Sequence, residues 1–181
     1  LTSKHHEGFC LWPDPNNWNW NAVDIGPHRD LAGDLIEAVR GEGLRMGFYY
    51  SLYEWFNPIY KSDVNRYVDQ YMLPQLKDLV ERYKPDLVWP DGEWEHPSAT
   101  WRSEEFLAWL FNESSAPKDV AINDRWGKEC RENHGGFGTP EYQHRSDGRL
   151  SKAGLFEECQ GMGMSFGYNR NSRPEDFLSP G

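Results

Sequence analysis

Ionisable and polar side chains recur where short apolar segments of the sequence end. Four such groups are found, namely Lys4-His5-His6-Glu7, Tyr49-Tyr50, Asp91-Gly92-Glu93 and Asn123-Asp124-Arg125. The steps between them are 44 residues (His5 to Tyr49), 42 residues (Tyr49 to Asp91) and 32 residues (Asp91 to Asn123), each about one strand-plus-helix unit. The carboxyl ends of parallel strands in a β/α barrel meet on one rim, where active sites lie. We therefore expect these groups to lie together.

Two carboxyl groups are candidates for catalysis. Asp91 directly follows an apolar segment and precedes Gly92, which leaves two interpretations open, a reactive carboxylate at the rim or a cap on the next helix. Glu141 lies in a loop after Thr139-Pro140 that can fold over the same rim. Sugar hydrolysis needs such a carboxyl pair, held about 5–5.5 Å apart when configuration is retained.

Aromatic and basic residues complete this chemistry. Tryptophan faces stack on the apolar side of a pyranose, and the candidates are Trp12, Trp18, Trp20, Trp89, Trp94 and Trp126. Any single indole among them is also a good core residue. Arg125 can fork onto hydroxyls or a carboxylate, with Asp124 holding it in place. His5 and His6 are interpreted as hydroxyl-binding residues, because no third metal ligand lies at a typical spacing. No metal or other cofactor is predicted.

Strand and helix patterns alternate along the chain. Apolar runs predict strands at residues 1–4, 44–51, 86–90 and 119–123, with two more near 154–157 and 164–168. Helical periodicity predicts helices over 30–42, over 62–83 with Ser62 as N-cap and a kink or a break at Pro74, and over 103–111. This alternation is typical of an α/β fold with a parallel sheet. No linker divides residues 1–181, so a single domain is expected.

Composition excludes several classes of partner. The net charge is −10 with scattered Lys and Arg, which disfavours nucleic acid. No window reaches the roughly 18 consecutive apolar residues of a membrane helix. Cys10, Cys130 and Cys159 lie too far apart in the sequence for a disulfide framework or a CxxC metal site. A neutral ligand is expected, while the cell compartment is left open.

Six motifs in order resemble the α-L-fucosidases of glycoside hydrolase family 29. They are Lys4-His5-His6-Glu7-Gly8-Phe9-Cys10-Leu11-Trp12, Gly26-Pro27-His28-Arg29-Asp30-Leu31, Gly47-Phe48-Tyr49-Tyr50-Ser51, Trp89-Pro90-Asp91-Gly92-Glu93-Trp94, Asn123-Asp124-Arg125-Trp126-Gly127 and Ser165-Phe166-Gly167-Tyr168-Asn169. The resemblance implies a retaining hydrolase on a TIM-type barrel. Such an enzyme releases terminal α-L-fucose from fucosylated glycans or aryl fucosides through a fucosyl-enzyme.

The resemblance also implies roles for individual residues. Asp91 matches the nucleophile. Glu141 is preferred as the acid/base, and Glu157 is the alternative. The residues expected to hold the sugar are His5, His6, Tyr49 and Arg125, with Trp12 and Trp126 as aromatic contacts.

The family's catalytic domain has strands before Leu1 and after Gly181, so we expect about five of eight barrel units here. Such an arc has two unpaired edges, which predicts a homo-oligomer. Two alternatives remain open, a catalytically silent fucose-binding or structural fragment and a metal-dependent hydrolase that uses His5 and His6.

Overall fold

Four parallel strands form one sheet, in the order in which they occur along the chain. The computed structural model describes residues 1–141, 154–159, 161–163 and 167–177. The strands are β1 (Thr2–Lys4), β2 (Gly47–Ser51), β3 (Leu87–Asp91) and β4 (Ala121–Ile122). Their register aligns Tyr49 with Trp89 and Ser51 with Asp91. The predicted parallel α/β architecture is confirmed.

Helices connect the strands and lie at their sides. Helix α1 (Leu31–Gly41) lies within the predicted range 30–42 and is capped by Asp30, whose Oδ1 accepts a hydrogen bond from the Gly33 N–H at 2.9 Å. The other α-helices are α2 (Pro58–Ser62), α3 (Val64–Tyr67), α4 (Leu73–Tyr83), α5 (Ser98–Trp101) and α6 (Ser103–Asn112). A π-helical turn spans Val68–Met72, and 3₁₀ turns span Glu93–Glu95 and Pro174–Asp176.

The predicted helix over 62–83 is divided. Ser62 ends α2 instead of capping a helix, and Asp63 caps α3 through its hydrogen bond from the Arg66 N–H. The π-helical turn directly precedes α4, whose second residue is Pro74. Proline lacks the N–H that a regular α-helix needs, and the hydrogen bonding changes to the π-helical pattern just before it. The helix is not broken at Pro74, because Tyr67, Met72 and Leu73 keep helical backbone angles.

The strand predictions weaken toward the C-terminus. Strand β4 has two residues instead of the five expected. The predicted strand near 154–157 is wrong, because this segment forms only an isolated bridge between Phe156 and Gly138. Of the strand expected over 164–168, residues 164–166 lie outside the described residues, and Gly167 and Tyr168 belong to no strand. The described residues therefore contain four strands instead of the five or more expected.

A buried charged network anchors the carboxyl end of β1. The Lys4 ammonium is fully buried and donates to Glu54 Oε1 at 2.6 Å and to the Tyr50 hydroxyl at 3.1 Å. The Trp55 N–H donates to the His6 carbonyl at 2.7 Å. These contacts join β1 to the segment after β2, and thereby fix the backbone that carries the two histidines.

None of the helices in the described part of the chain is long and apolar enough to span a bilayer.

Replacing Glu54 by Gln should strongly destabilise the fold, because the buried Lys4 ammonium loses its counter-charge. Loss of one partner of a buried pair typically costs about 3–5 kcal/mol of unfolding free energy, whereas replacing both partners by apolar residues costs much less. Urea denaturation of Glu54→Gln and of the Lys4→Met/Glu54→Leu double variant measures both effects. Asp119→Asn, which removes an exposed partner of Arg45, is the control. Equal losses in Glu54→Gln and this control would contradict the role given to Lys4.

Candidate active site

A cavity of about 890 Å³ opens beside the inner face and the carboxyl ends of β1, β2 and β3. Nine residues that the sequence indicated as site candidates line it, namely His5, His6, Tyr49, Trp89, Asp91, Trp94, Arg125, Glu141 and Glu157. Residues that are far apart in the sequence thus meet in one cavity, as their positions at the strand ends predicted.

A continuous stack of flat side chains forms one wall of the cavity. The His5 ring stacks on Tyr49 at 5.3 Å, and Tyr49 stacks on Trp89 at 5.4 Å. The Arg125 guanidinium carbon lies 4.5 Å from the centroid of the Trp89 ring. Each member comes from or directly follows a successive strand, so the stack repeats close to the spacing of about 4.8 Å between paired strands.

Asp91 is held as a carboxylate. The Tyr49 hydroxyl donates to its Oδ2 at 2.7 Å, and Arg125 Nη1 donates to its Oδ1 at 2.5 Å. Burial disfavours the charge, but the positive charge of Arg125 and these two hydrogen bonds outweigh it and hold the pKa of Asp91 below its usual value. The residue that caps the following 3₁₀ turn is Gly92, so Asp91 faces the cavity instead of capping a helix.

Arg125 is buried and is held by several hydrogen bonds. Its Nε donates to Thr139 Oγ1 at 2.8 Å, and Thr139 Oγ1 in turn donates to Asp124 Oδ1 at 2.7 Å. Asp124 thus holds Arg125 through a threonine, which refines the expectation of a direct contact. Burial lowers the pKa of Arg125, but Asp91 and Glu141 more than compensate for it, so this pKa is raised and the guanidinium stays charged.

Both candidate acids project into the cavity from adjacent segments. Arg125 Nη2 donates to Glu141 Oε2 at 3.0 Å, and Trp89 Nε1 donates to Glu157 Oε2 at 2.9 Å. The two segments are joined by backbone hydrogen bonds, including that from the Glu157 N–H to the Gly138 carbonyl at 2.8 Å. One guanidinium therefore binds both Asp91 and Glu141.

A second arginine, Arg131, lies beside these charged side chains. Arg131 Nε donates to the buried Glu93 Oε1 at 2.6 Å, and Arg131 Nη2 lies 4.0 Å from Glu141 Oε2. The resulting order is Asp91, Arg125, Glu141, Arg131 and Glu93, in which negative and positive charges alternate. This alternation limits repulsion among the three carboxylates.

Comparison with known proteins leads to the same family as the sequence motifs did. The model of the family described as alpha-L-fucosidase matches residues 1–180. The chain belongs to the alpha-L-fucosidase family. It is 44% identical to the alpha-L-fucosidase of Dictyostelium discoideum over 98% of this chain and 40% of that protein.

Solved structures of fucosidases have a similar fold. Alpha-L-fucosidase isoenzyme 1 from Paenibacillus thiaminolyticus has a TM-score of 0.75 at 28% identity, over 99% of this chain and 48% of that one. A Thermotoga maritima alpha-L-fucosynthase in complex with alpha-L-Fuc-(1-2)-beta-L-Fuc-N3 has a TM-score of 0.69 at 37% identity, over 98% of this chain and 40% of that one. This fucosidase-family chain thus spans less than half the length of these relatives.

Two predicted sugar contacts of this family member lie elsewhere. Trp12 is fully buried and donates its Nε1–H to Asp78, and Trp126 is buried against Phe106 with its Nε1–H on the Asn123 carbonyl. Neither indole lines the cavity, so the sequence-based expectation for both is corrected to a role in the hydrophobic core.

The sequence interpretation gave no role to Ser51, Thr139 and Arg131, and it did not use the spacing between Trp89 and Asp91. Trp89 precedes Asp91 by two residues, a spacing that places both on one face of β3 and was a usable signal. Ser51 lies opposite Asp91 in the neighbouring strand β2. It follows Tyr49 by two residues, so these two side chains also lie on one face of their strand. Thr139 and Arg131 gave no comparable signal, because their positions depend on irregular loops.

Ser51 fixes the tautomer of His6. The Ser51 hydroxyl donates its one hydrogen to the Tyr53 carbonyl at 2.6 Å, so it accepts from His6 Nδ1–H at 2.7 Å. Burial and the neighbouring His5 lower the pKa of His6, which favours the neutral ring. Its unprotonated Nε2 lies 4.0 Å from Asp91 Oδ2, and is therefore a hydrogen-bond acceptor beside the Asp91 carboxylate.

No group of three or more His, Cys, Asp and Glu residues placed to hold a metal ion occurs within residues 1–141 or the shorter described segments. The expectation that catalysis needs no metal stays a prediction.

Replacing Ser51 by Ala should release the tautomer of His6. At pH 8 the unmodified chain should give ¹⁵N imidazole shifts of a single Nδ1–H form, and Ser51→Ala should give averaged shifts of two tautomers. Ser3→Ala is the matched control, since it removes a buried hydroxyl that binds the Tyr49 carbonyl and not His6. An Nε2–H form in the unmodified chain would contradict the assignment.

Proposed function

We propose that this chain forms the catalytic part of a retaining glycoside hydrolase that removes terminal α-L-fucose from fucosylated oligosaccharides, glycoconjugates or aryl fucosides. The observation that carries the proposal is the shared guanidinium of Arg125, which binds Asp91 through Nη1 and Glu141 through Nη2. The two Nη atoms are close neighbours, so they hold the two carboxyl groups near each other. Retaining glycosidases need a separation of about 5–5.5 Å, which leaves no room for an intervening water.

The geometry supports a double displacement. Asp91, ionised and oriented by Tyr49 and Arg125, attacks the anomeric carbon and forms the fucosyl-enzyme while the acid protonates the departing glycosidic oxygen. In the second step the same acid residue, now a base, takes a proton from water, which attacks the anomeric carbon and frees Asp91. His6 Nε2 accepts a hydrogen bond from a sugar hydroxyl beside the nucleophile.

Glu141 is the preferred acid/base. Arg125 places it next to Asp91, and its side chain is partly shielded from solvent. Glu157 also lines the cavity, but it is exposed and accepts its hydrogen bond from the indole of Trp89. The similar Thermotoga maritima alpha-L-fucosynthase is in complex with a fucosyl disaccharide, which supports sugar as the ligand class of this cavity.

The wider assembly is part of the proposal. We infer that residues 1–181 act as one domain and that the sheet is an arc of a TIM-type barrel. Strands β1 and β4 are its edges, and self-association would cover the ladder groups that an edge leaves unpaired. A catalytically silent fucose-binding fragment is the less favoured alternative, because sugar binding alone gives no reason to hold two carboxyl groups on one guanidinium.

Replacing Asp91 by Asn should reduce hydrolysis of a chromogenic aryl α-L-fucoside by several orders of magnitude, because the nucleophile is lost. In Asp91→Gly, added azide should restore part of the rate by attacking the anomeric carbon in place of the carboxylate. Asp34→Asn, on the exposed side of α1, is the control with unchanged activity. Activity retained in Asp91→Asn would refute the nucleophile assignment, and inactivity of the unmodified chain would favour the silent fragment.

Replacing Glu141 by Ala should slow substrates with poor leaving groups far more than activated aryl fucosides, since only the former need protonation of the departing oxygen. The slope of log(kcat/KM) against leaving-group pKa measures the effect. Glu157→Ala, which removes the other cavity glutamate, should leave that slope unchanged. The reverse result would transfer the acid/base role to Glu157.

A further inference from the structure

A second cavity of about 490 Å³ lies between the segments that follow β1 and β2. These two segments belong to consecutive units of the fold, and both leave the same carboxyl edge of the sheet that carries the candidate active site. Both walls of the second cavity are thus built from residues 7–20 and 54–59, with Tyr71 closing one side.

Three exposed aromatic side chains face this second cavity. Trp18 is 80% exposed, Phe56 is 68% exposed and Trp20 is 45% exposed. Large aromatic rings left in water next to one another mark ligand or partner surfaces more often than chance. Flat aromatic faces at a cavity are also the surfaces on which the apolar side of a pyranose stacks.

The walls of the second cavity are held in place without a ligand. Asn17 Nδ2 donates to the Gly8 carbonyl at 2.8 Å, and Trp20 Nε1 donates to the Glu7 carbonyl at 3.0 Å. On the other wall, Asn57 Oδ1 caps α2 by accepting from the Ile59 N–H at 3.0 Å. A site fixed in this way binds a ligand without a large ordering cost.

The polar groups of the second cavity fit a neutral, hydroxyl-rich ligand. Asn16 supplies an amide and Glu7 a carboxylate acceptor, while Asn17 offers only its amide oxygen because its Nδ2 braces the wall. Among the described residues that line this cavity there is no Lys or Arg, and the chain carries a net charge of −10, so an anionic ligand is disfavoured.

The two cavities come close together at the segment after β1. His5 lines the active-site cavity, and its Nδ1 lies 3.8 Å from Oε2 of Glu7, which lines the second cavity. Trp55 packs edge-on to His6 with their ring centroids 5.5 Å apart, and it directly precedes Phe56 of the second cavity. A saccharide that extends past His5 and Glu7 would therefore contact both cavities.

We propose that the second cavity binds the neutral sugars that precede fucose in the substrate glycan, with Trp18 and Phe56 as stacking surfaces. This inference rests on the proposed function, because it takes the fucose itself to occupy the cavity at Asp91. It assigns to the segment after β1 a part in selecting glycans over simple fucosides.

Binding measurements by ¹⁵N NMR test the proposal in the Asp91→Asn background, which prevents turnover. The indole signals of Trp89 and Trp18 report on the two cavities during titration with fucose, lactose and fucosyllactose. Fucosyllactose should bind about tenfold more tightly than fucose, a difference that corresponds to about 1.4 kcal/mol. Trp18→Ala should remove that advantage and leave fucose binding unchanged, and Phe111→Ala, an exposed aromatic of α6, should change neither.

The outcomes distinguish a failure of the second sugar site from a failure of the proposed function. Equal affinities for fucose and fucosyllactose, with no response at Trp18, would overturn the second site and leave the proposed function standing. If fucose causes no response at Trp89, the proposed function fails, and the response of Trp18 to lactose then decides the second site by itself. A shift at Trp18 with lactose supports a sugar site, and its absence overturns that site.

Discussion

The candidate site depends on one buried cation, the guanidinium of Arg125. Its three nitrogens bind Asp91, Glu141 and Thr139, and its flat face lies on Trp89. A planar group with donors in a fixed fork does this in a way that a lysine ammonium cannot. Without this cation, burial and a second carboxyl group on the same side of the cavity would disfavour the charge on Asp91. Arg125 therefore explains both the charge of Asp91 and the position of Glu141 on the same guanidinium.

The sheet supplies the alignment that this cation requires. Parallel pairing of β2 and β3 sets Tyr49 beside Trp89 and Ser51 beside Asp91, so that each strand contributes one stacking residue and one polar residue. Below the histidines, the pair of Lys4 and Glu54 fixes the end of β1. The site is thus built on strand ends, while the acid/base candidates come from the irregular segments after β4. This division fits the general rule that barrel frameworks are rigid and their loops carry variable chemistry.

Much of this arrangement could be predicted from the sequence, because strand ends in a parallel sheet share one edge. The spacing of His5, Tyr49, Asp91 and the group Asn123-Asp124-Arg125 was sufficient to predict that they lie together. Tryptophan type alone did not distinguish a sugar platform from core packing, and Trp12 was assigned wrongly for that reason. The helix expected after Ser62 begins one residue later, because Asp63 caps it, and a π-helical turn that the sequence did not predict precedes Pro74. Thr139 depends on tertiary contacts across a loop, for which local sequence carries no signal.

We expect Asp91, held by hydrogen bonds from Arg125 and Tyr49, to form a covalent bond to fucose. The most direct measurement is mass spectrometry of the chain after incubation with a 2-fluoro-fucosyl fluoride, which slows the second displacement and lets the intermediate accumulate. The account predicts one added 2-fluoro-fucosyl group on the peptide that contains Asp91, absent from Asp91→Asn. Labelling of a peptide that contains Glu141 or Glu157 instead would contradict it.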